Sequence, residues 1–470
     1  MNDATIVARV AAFAASARER GVGDELRANA AQRVLDVLGN SIAALGTSPA
    51  HAVRTVITEW GGAPRATALG LPGRWPDASA ALLGGTLAHA MDFDDTHLPS
   101  VLHPSATVVP AALAVAESRH ADGAALLDAI AVGVEIAVRV GMAGYNEALG
   151  NSVFFERGLH ATAICGALGG AAAAAMLSGA DADGIAHAIG IAASMGSGLL
   201  EANRTGGTVK RVHCGWAAHS AVTAAALARA GLTGPPTVFE GRFGLLQAFC
   251  GEQSNPAAIL DGLGTRWELP GVFFKPYPCN HFTHAGIDAA LRLRADGITA
   301  DDIERLELGV PTAVSRTIGE PHADKIRPKS GYHAAFSGPY TVAAALLGGG
   351  GLGVFHQDFT DAAAADPDRL ALAARVTCVA DPRCDAIFPQ QFPAVLTAWL
   401  RDGRVRTERV DVNRGGPGNP LSAAELATKF RLNTERTFSG EQADEISKAV
   451  ADLASQPDLD ALMALLREAR

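Results

Sequence analysis

Between His89 and Glu117 the stretch HAMDFDDTHLPSVLHPSATVVPAALAVAE gathers four acidic side chains and three histidines in a chain otherwise rich in Ala and Val. Carboxylates and imidazoles are the side chains that move protons near neutral pH, so their crowding points to acid–base chemistry. A helix continuing from Ala80 through DFDDT would set His89, Asp92 and Thr96 at i, i+3 and i+7. Asp95 would lie beside Asp92 on that face, and Asp94 would turn elsewhere. Pro104 then opens the next apolar helix and holds His103 near its N-terminus. An Asp, a Thr and a His would thus meet at one mouth.

Other readings of the same residues stand beside this one. Asp94, Asp95 and Thr96 could simply end one helix and cap the next. Clustered aspartates also suit Mg²⁺, and DxDD is the acid of some terpene cyclases, for which this chain has few aromatics to line a pocket. The acid/base reading is kept, with no metal and no cofactor expected.

Further candidates lie along the chain. His160 in RGLHATAICG opens a tightly packed helix, as a cap or as a functional imidazole. Lys210 and Arg211 follow two glycines and precede an apolar helix, offering cations and backbone N–H groups to an anion. Lys275 and Tyr277 are held extended by Pro276 and Pro278, which fix their spacing or mark a linker. Tyr340, in SGPYTVAAALL, is an interior tyrosine or a phenolic proton donor.

The elements that must position these residues are mostly helices. From Leu26 to about Gly234 the segments LRANAAQRVLDVLGNSIAAL, GAALLDAIAVGVEIAVRVGMAG and HCGWAAHSAVTAAALARAG have helical length without strand alternation. After KPYPC the pattern changes. HAGIDAALRLRADG and FSGPYTVAAALLGG read as helices, while IERLELGVP, ARVTCVADP and the hairpin VLTAWLRDGRVRTERVDV, with Asp402-Gly403 at its turn, read as strands. Beyond GGPGNPLS helices return, in a tail too short to fold alone. The expectation is a mainly α protein: a large all-helical domain formed by residues 1–270 and 416–470, with a smaller α+β lid domain, 271–415, inserted.

Composition excludes several functions. A net charge of −10 without a basic run leaves no stripe for nucleic acid. The run ATAICGALGGAAAAAMLSGA is made of small residues and reads as a bundle helix rather than a membrane span. Six scattered cysteines without a CxxC pair fit reduced, buried thiols. With no clear leader cleavage site in MNDATIVARVAAFAASARER, cytoplasmic location is the default. G-x-S-x-G, GxxxxGK[ST] and HExxH are absent, and GALGGA follows no strand, so hydrolase, P-loop and dinucleotide-binding readings lose support.

HAMDFDDTH with HPSATVVPAALAVAE, GLHATAICGALGGAAAA, GGTVKRVHCGWAAHSA, GLTGPPTVFEGRFG, KPYPCNHFTHAGIDAAL and FSGPYTVAAALLGG, in this order, resemble the MmgE/PrpD family over nearly the whole chain. The resemblance implies a helical domain completed by the C-terminal tail, a smaller α+β lid, a homodimer and a metal-free site. By motif, the family's functional positions fall on Asp92, Thr96, His103, His160, Lys210, Lys275 and Tyr340. Dehydratases of the 2-methylcitrate type look more like DWNDT or DFNDT with a different spacer, and this chain departs from them with DFDDTHLPSVLHP. The reactions of such a family share a carbanion beside a carboxylate, which cations such as Lys210 and Lys275 would stabilise. Asp92 and His103 would move protons, and Tyr340 and His160 would orient carboxylates or deliver a second proton; which group is base stays open. Dehydration of a hydroxylated di- or tricarboxylate is the first expectation. Epimerisation or decarboxylation of a small polycarboxylate follows, and carboxylate binding without turnover comes last.

Overall fold

The computed structural model of the chain describes residues 4–205 and 207–467. Gly206, one of the two glycines before Lys210, lies outside them. The protein is mainly helical and divides into two compact units, Met1–Val272 with Phe430–Arg470, and Phe273–Lys429. The sequence boundaries at 270/271 and 415/416 thus compare with 272/273 and 429/430. GGPGNPLS turns the chain, but it does so inside the second unit, where Phe274 N–H donates to the Gly415 carbonyl at 2.9 Å. Leu421 and Leu426 also pack with Phe274 in that unit.

In the first unit the helices Asp24–Ala43, Asp77–His89, Ser105–Arg119, Gly123–Ala143, Ala161–Leu177 and His213–Arg229 share one apolar core. Every residue of Ala161–Leu177 is buried, as expected for a helix whose small side chains admit neighbours on all sides. Its closest approach to Gly123–Ala143 needs glycine on both sides. A Cβ on Gly169 would lie 2.2 Å from the Gly133 carbonyl oxygen. A second such crossing, Gly85 against Gly215, brings the end of Asp77–His89 to the start of His213–Arg229: a Cβ on Gly215 would meet the Leu82 carbonyl oxygen at 2.3 Å. The unit is not wholly helical, since the two-residue ribbons Ala66–Thr67 with Arg74–Trp75 and Tyr145–Asn146 with Asn151–Ser152 tie off its loops. Among the described residues no helix is long and apolar enough to cross a membrane.

The second unit is α+β. Its sheet has the order Val376–Ala380, Ile303–Val310, Ala394–Leu400, Val405–Val410; the first pair is parallel and the others antiparallel. The helices His284–Ala295 and Gly338–Leu347 belong to its core. Five cysteines of the chain are buried, Cys378 is half-buried, and all six are free thiols.

Candidate active site

The helix from Asp77 stops at His89 rather than running through DFDDT. Asp92 adopts φ 53°, the left-handed region, which an L-residue enters at a cost of about 1–2 kcal/mol and which aspartate tolerates better than most. Asp92, Asp94, Asp95 and Thr96 therefore sit on a buried loop, and the expected i, i+3, i+7 face does not form. Asp94, expected to turn elsewhere, accepts a hydrogen bond from His89 Nδ1 at 2.6 Å. The loop is pinned from outside as well. Asn40 donates to the Phe93 carbonyl at 3.1 Å, and Asn433, from the C-terminal segment, donates to Asn40 at 3.1 Å.

Each carboxylate of the loop has a separate task. Asp92 faces Lys210, Oδ1 to Nζ 3.7 Å. Asp94 holds His89. Asp95 accepts the Ser105 N–H at 3.2 Å, capping Ser105–Arg119 as the capping alternative proposed, and faces buried Arg33 at 3.5 Å. Burial pushes the Asp95 carboxyl up to about 6 against the pull of Arg33.

His103 is held through both its ring and its backbone. Its Nδ1 lies 2.6 Å from the Asp95 carbonyl oxygen and 3.3 Å from Thr96 Oγ1, and its backbone N–H donates to Thr162 Oγ1 at 3.2 Å. A carbonyl only accepts, so Nδ1 carries a proton and Nε2 is the nitrogen left to exchange one. The ring centroids of His103 and His160 lie 5.6 and 5.4 Å from that of His89. Burial opposes a charge on His89, but the Asp94 carboxylate outweighs it and raises the imidazole to about 10. His160 is depressed well below the ordinary value, first by burial and then by His89 and Lys210. His97, the third histidine of the opening stretch, is structural: its Nδ1 bonds Ser100 Oγ at 2.8 Å and Glu268 lies 3.8 Å from Nε2.

Lys210 and Arg211 lie on the 3₁₀ turn Val209–Val212 that leads into His213–Arg229. Lys210 is the buried member that faces Asp92; Arg211 is half-buried. Asp92, Thr96, His103, His160 and Lys210 thus all belong to the first unit.

Lys275, Tyr277 and Tyr340 belong to the second unit and are buried there. The Tyr277 hydroxyl donates to Asp288 at 2.6 Å and accepts from Arg414 at 3.3 Å. The Tyr340 hydroxyl donates to the Asp358 carbonyl at 2.6 Å and accepts from Arg369 at 3.3 Å. Burial raises both phenols. These bonds are what an interior tyrosine makes.

Sequence reasoning left out His89, Asp94, Arg33 and His213 as site residues. Their pairing depends on which helix ends meet, although the HxxxxD spacing and the His after VKRV were visible. His89, Asp94 and Cys214 also bring metal-ligand atoms within 4.8 Å of one another. The His89–Asp94 separation of 2.6 Å is a hydrogen bond, whereas two ligands of a tetrahedral Zn²⁺ stand about 3.3 Å apart given metal–ligand bonds near 2 Å. At that separation His89 and Asp94 are a hydrogen-bonded pair with the Cys214 thiol alongside.

A helical unit that sets a buried lysine–aspartate pair among carbonyl- and carboxylate-oriented imidazoles defines a protein equipped for proton transfer. The chain belongs to the MmgE/PrpD family: the MmgE/PrpD N-terminal domain matches residues 8–257 and the MmgE/PrpD C-terminal domain residues 277–455. It is 30% identical to the cis-aconitate decarboxylase of Homo sapiens over 449 residues, 92% of this chain and 89% of that protein. Identity to the Mus musculus cis-aconitate decarboxylase is 29% over 448 residues, 92% of this chain and 88% of that protein. The 2-methylcitrate dehydratase of Cupriavidus necator is 29% identical over 260 residues, 51% of this chain and 50% of that protein. Both names are those of lyases.

Proposed function

We propose that the protein is a lyase that decarboxylates an unsaturated tricarboxylate of the cis-aconitate type, without a metal or organic cofactor and as a homodimer. The observation that carries this reading is the convergence of Asp92–Lys210, Thr96–His103 and His160 in one unit. The order of preference differs from that suggested by the sequence alone, where dehydration came first. The Homo sapiens and Mus musculus relatives named decarboxylases align along 92% of the chain and the dehydratase along 51%.

Loss of CO₂ leaves an electron pair on carbon, and that pair must be stabilised and then protonated. Lys210, already facing the Asp92 carboxylate, supplies a buried cation for a substrate carboxylate and for the charge that develops beside it. Such preorganised charge is worth about 10²–10³ in rate. His103, held with Nδ1–H on the Asp95 carbonyl, offers its Nε2 to the substrate, and the proton for the carbanion comes from His160. His160, depressed by burial, is neutral at pH 7 and can accept or donate. Lys275 enters through the family resemblance as a second cation.

Purified protein incubated with cis-aconitate, citrate or 2-methylcitrate separates the readings. CO₂ release and the new vinylic proton signals of a dicarboxylate, seen by proton NMR only with cis-aconitate, are the expected result. Loss of water from a hydroxylated substrate without CO₂ would establish the dehydratase alternative. Binding with no turnover of any of them would leave the carboxylate-binding alternative.

A further inference from the structure

His213 opens the helix His213–Arg229, and its Nδ1 lies 3.1 Å from Nδ1 of His160. The rings are 5.2 Å apart between centroids and tilted by 46°. The slot around them is narrow: a Cβ on Gly198 would come within 3.1 Å of His160 Cβ and 3.2 Å of His213 Nδ1. The Gly198 carbonyl also accepts the His160 backbone N–H at 2.9 Å.

Two imidazoles meeting through Nδ1 share one proton, because one nitrogen must donate and the other accept. Doubly protonated, they would point two N–H groups at each other. The titratable groups acting on His213 are His160 across this bond, His89 at the end of Asp77–His89, and Lys210 on the preceding turn. Burial first, then the positive His89 and Lys210, lower His213 to about 4, so both members of the pair are neutral at pH 7.

The proton balance gives such a pair work to do. Decarboxylation consumes one proton per turnover, since R–COO⁻ and H⁺ become R–H and CO₂, and the proton must come from solvent into a buried site. We propose that His213 is a positioning and proton-relay residue that acts through His160, reprotonating it across their shared Nδ1···Nδ1 hydrogen bond; this rests on the decarboxylase reading above. Before the transfer His213 Nδ1–H donates to His160 Nδ1, and His160 carries its other proton on Nε2. His160 Nε2–H gives its proton to the substrate carbanion, the shared proton moves from His213 Nδ1 to His160 Nδ1, and a solvent proton binds His213 Nε2. One proton enters, one leaves, and both rings end neutral. Exchange with solvent in the empty site resets the tautomers. His213 is 8% exposed and His160 1%, so His213 is the member nearer to water.

Asparagine distinguishes relay from simple orientation, because its side-chain amide occupies the place of Nδ1 and keeps one hydrogen bond but cannot pass a proton. With cis-aconitate, His213→Asn and His213→Ala should both lower kcat by about tenfold or more with KM changed less than about twofold. The pH profile of kcat should lose an ionisation, and added imidazole should partly restore the alanine variant. Wild-type kcat and an unchanged pH profile in His213→Asn would overturn the relay. A second arm needs no substrate: long-range ¹H–¹⁵N spectra of ¹⁵N-histidine-labelled protein should show His160 exchanging between tautomers in the wild type and locked in one tautomer in His213→Asn. An unaltered His160 spectrum overturns the relay whether or not cis-aconitate is turned over. Failure of the wild type to release CO₂, with the locked tautomer observed, overturns the decarboxylase reading alone.

Discussion

The main-chain carbonyl oxygen of Asp95 lies 2.6 Å from Nδ1 of His103, while the Asp95 carboxylate caps the helix Ser105–Arg119 on which that histidine's loop ends. One residue thus sets both the tautomer of the imidazole and the place from which it acts. The ring is oriented by backbone, so a side-chain change at Asp95 that preserves the cap should leave the tautomer intact.

His103→Ala should lower kcat by about 10²–10³ while carboxylate binding changes far less, because the lost imidazole acts on the charge that develops in the transition state rather than holding the ground state. Turnover in D₂O gives the direct readout. The wild type should place deuterium at a carbon next to a carboxylate, and His103→Ala should suppress that label. Clear turnover without carbon-bound deuterium would refute the proton chemistry.

Lys210→Ala should weaken polycarboxylate binding and lower kcat by about 10²–10³ with the fold intact. Lys210→Arg should recover little, since a guanidinium spreads its charge over a planar fork whereas the ammonium that faces Asp92 at 3.7 Å is a compact point charge. Asp92→Asn keeps a residue that tolerates the left-handed backbone and removes only the charge opposite Lys210. It should therefore impair kcat with little change in Tm. Steady-state kinetics beside thermal unfolding test all three, and near-normal kinetics in Lys210→Ala would remove that residue from the site.

Helix periodicity made much of this fold legible. Gly123–Ala143, Ala161–Leu177 and His213–Arg229 fall where their Ala-rich patterns end, and the strand pair joined by Asp402-Gly403 follows its turn signal. The site was legible as a set of residues but not as a geometry. The sequence pattern sets Asp92 and Thr96 on a helical face, yet the helix ends at His89 and Asp94 folds back onto the His89 ring. That contact is local in sequence, but its surroundings are not: Cys214, next to the helix crossing at Gly85 and Gly215, lies within 4.8 Å of the pair, and no window of sequence contains that crossing. His213 went unnoticed for the same reason, since its partner His160 is 53 positions away.

Exhaustive chelation should leave activity unchanged. Asp92 faces Lys210, Asp94 is bonded to His89, and Asp95 serves Ser105 and Arg33, so each carboxylate of the loop already answers a donor or a cation. Activity measured after dialysis against EDTA and a stronger zinc chelator checks this. Loss of turnover with rescue by Zn²⁺ or Mg²⁺ would reassign the aspartates as ligands.

The His89–Asp94 pair should make stability fall toward alkaline pH. Asp94 holds the folded His89 at about 10 against an ordinary value of 6.5, so between those values the folded state binds a proton that the unfolded state has lost. The contribution is fully present below pH 6.5 and declines as pH rises through about 10, with a slope of at most about 1.4 kcal/mol per pH unit. Cysteine, tyrosine and lysine side chains elsewhere titrate in the same range, which makes the difference between variants the informative quantity. Urea unfolding from pH 6.5 to 10 should show a steeper loss in the wild type than in His89→Gln, where nothing at this position titrates. Asp94→Asn should flatten the curve in the same way, because burial without the carboxylate returns the imidazole to its neutral form. If the three curves run parallel, His89 is not held protonated, and the positive charge that depresses His160 and His213 must come from Lys210 alone.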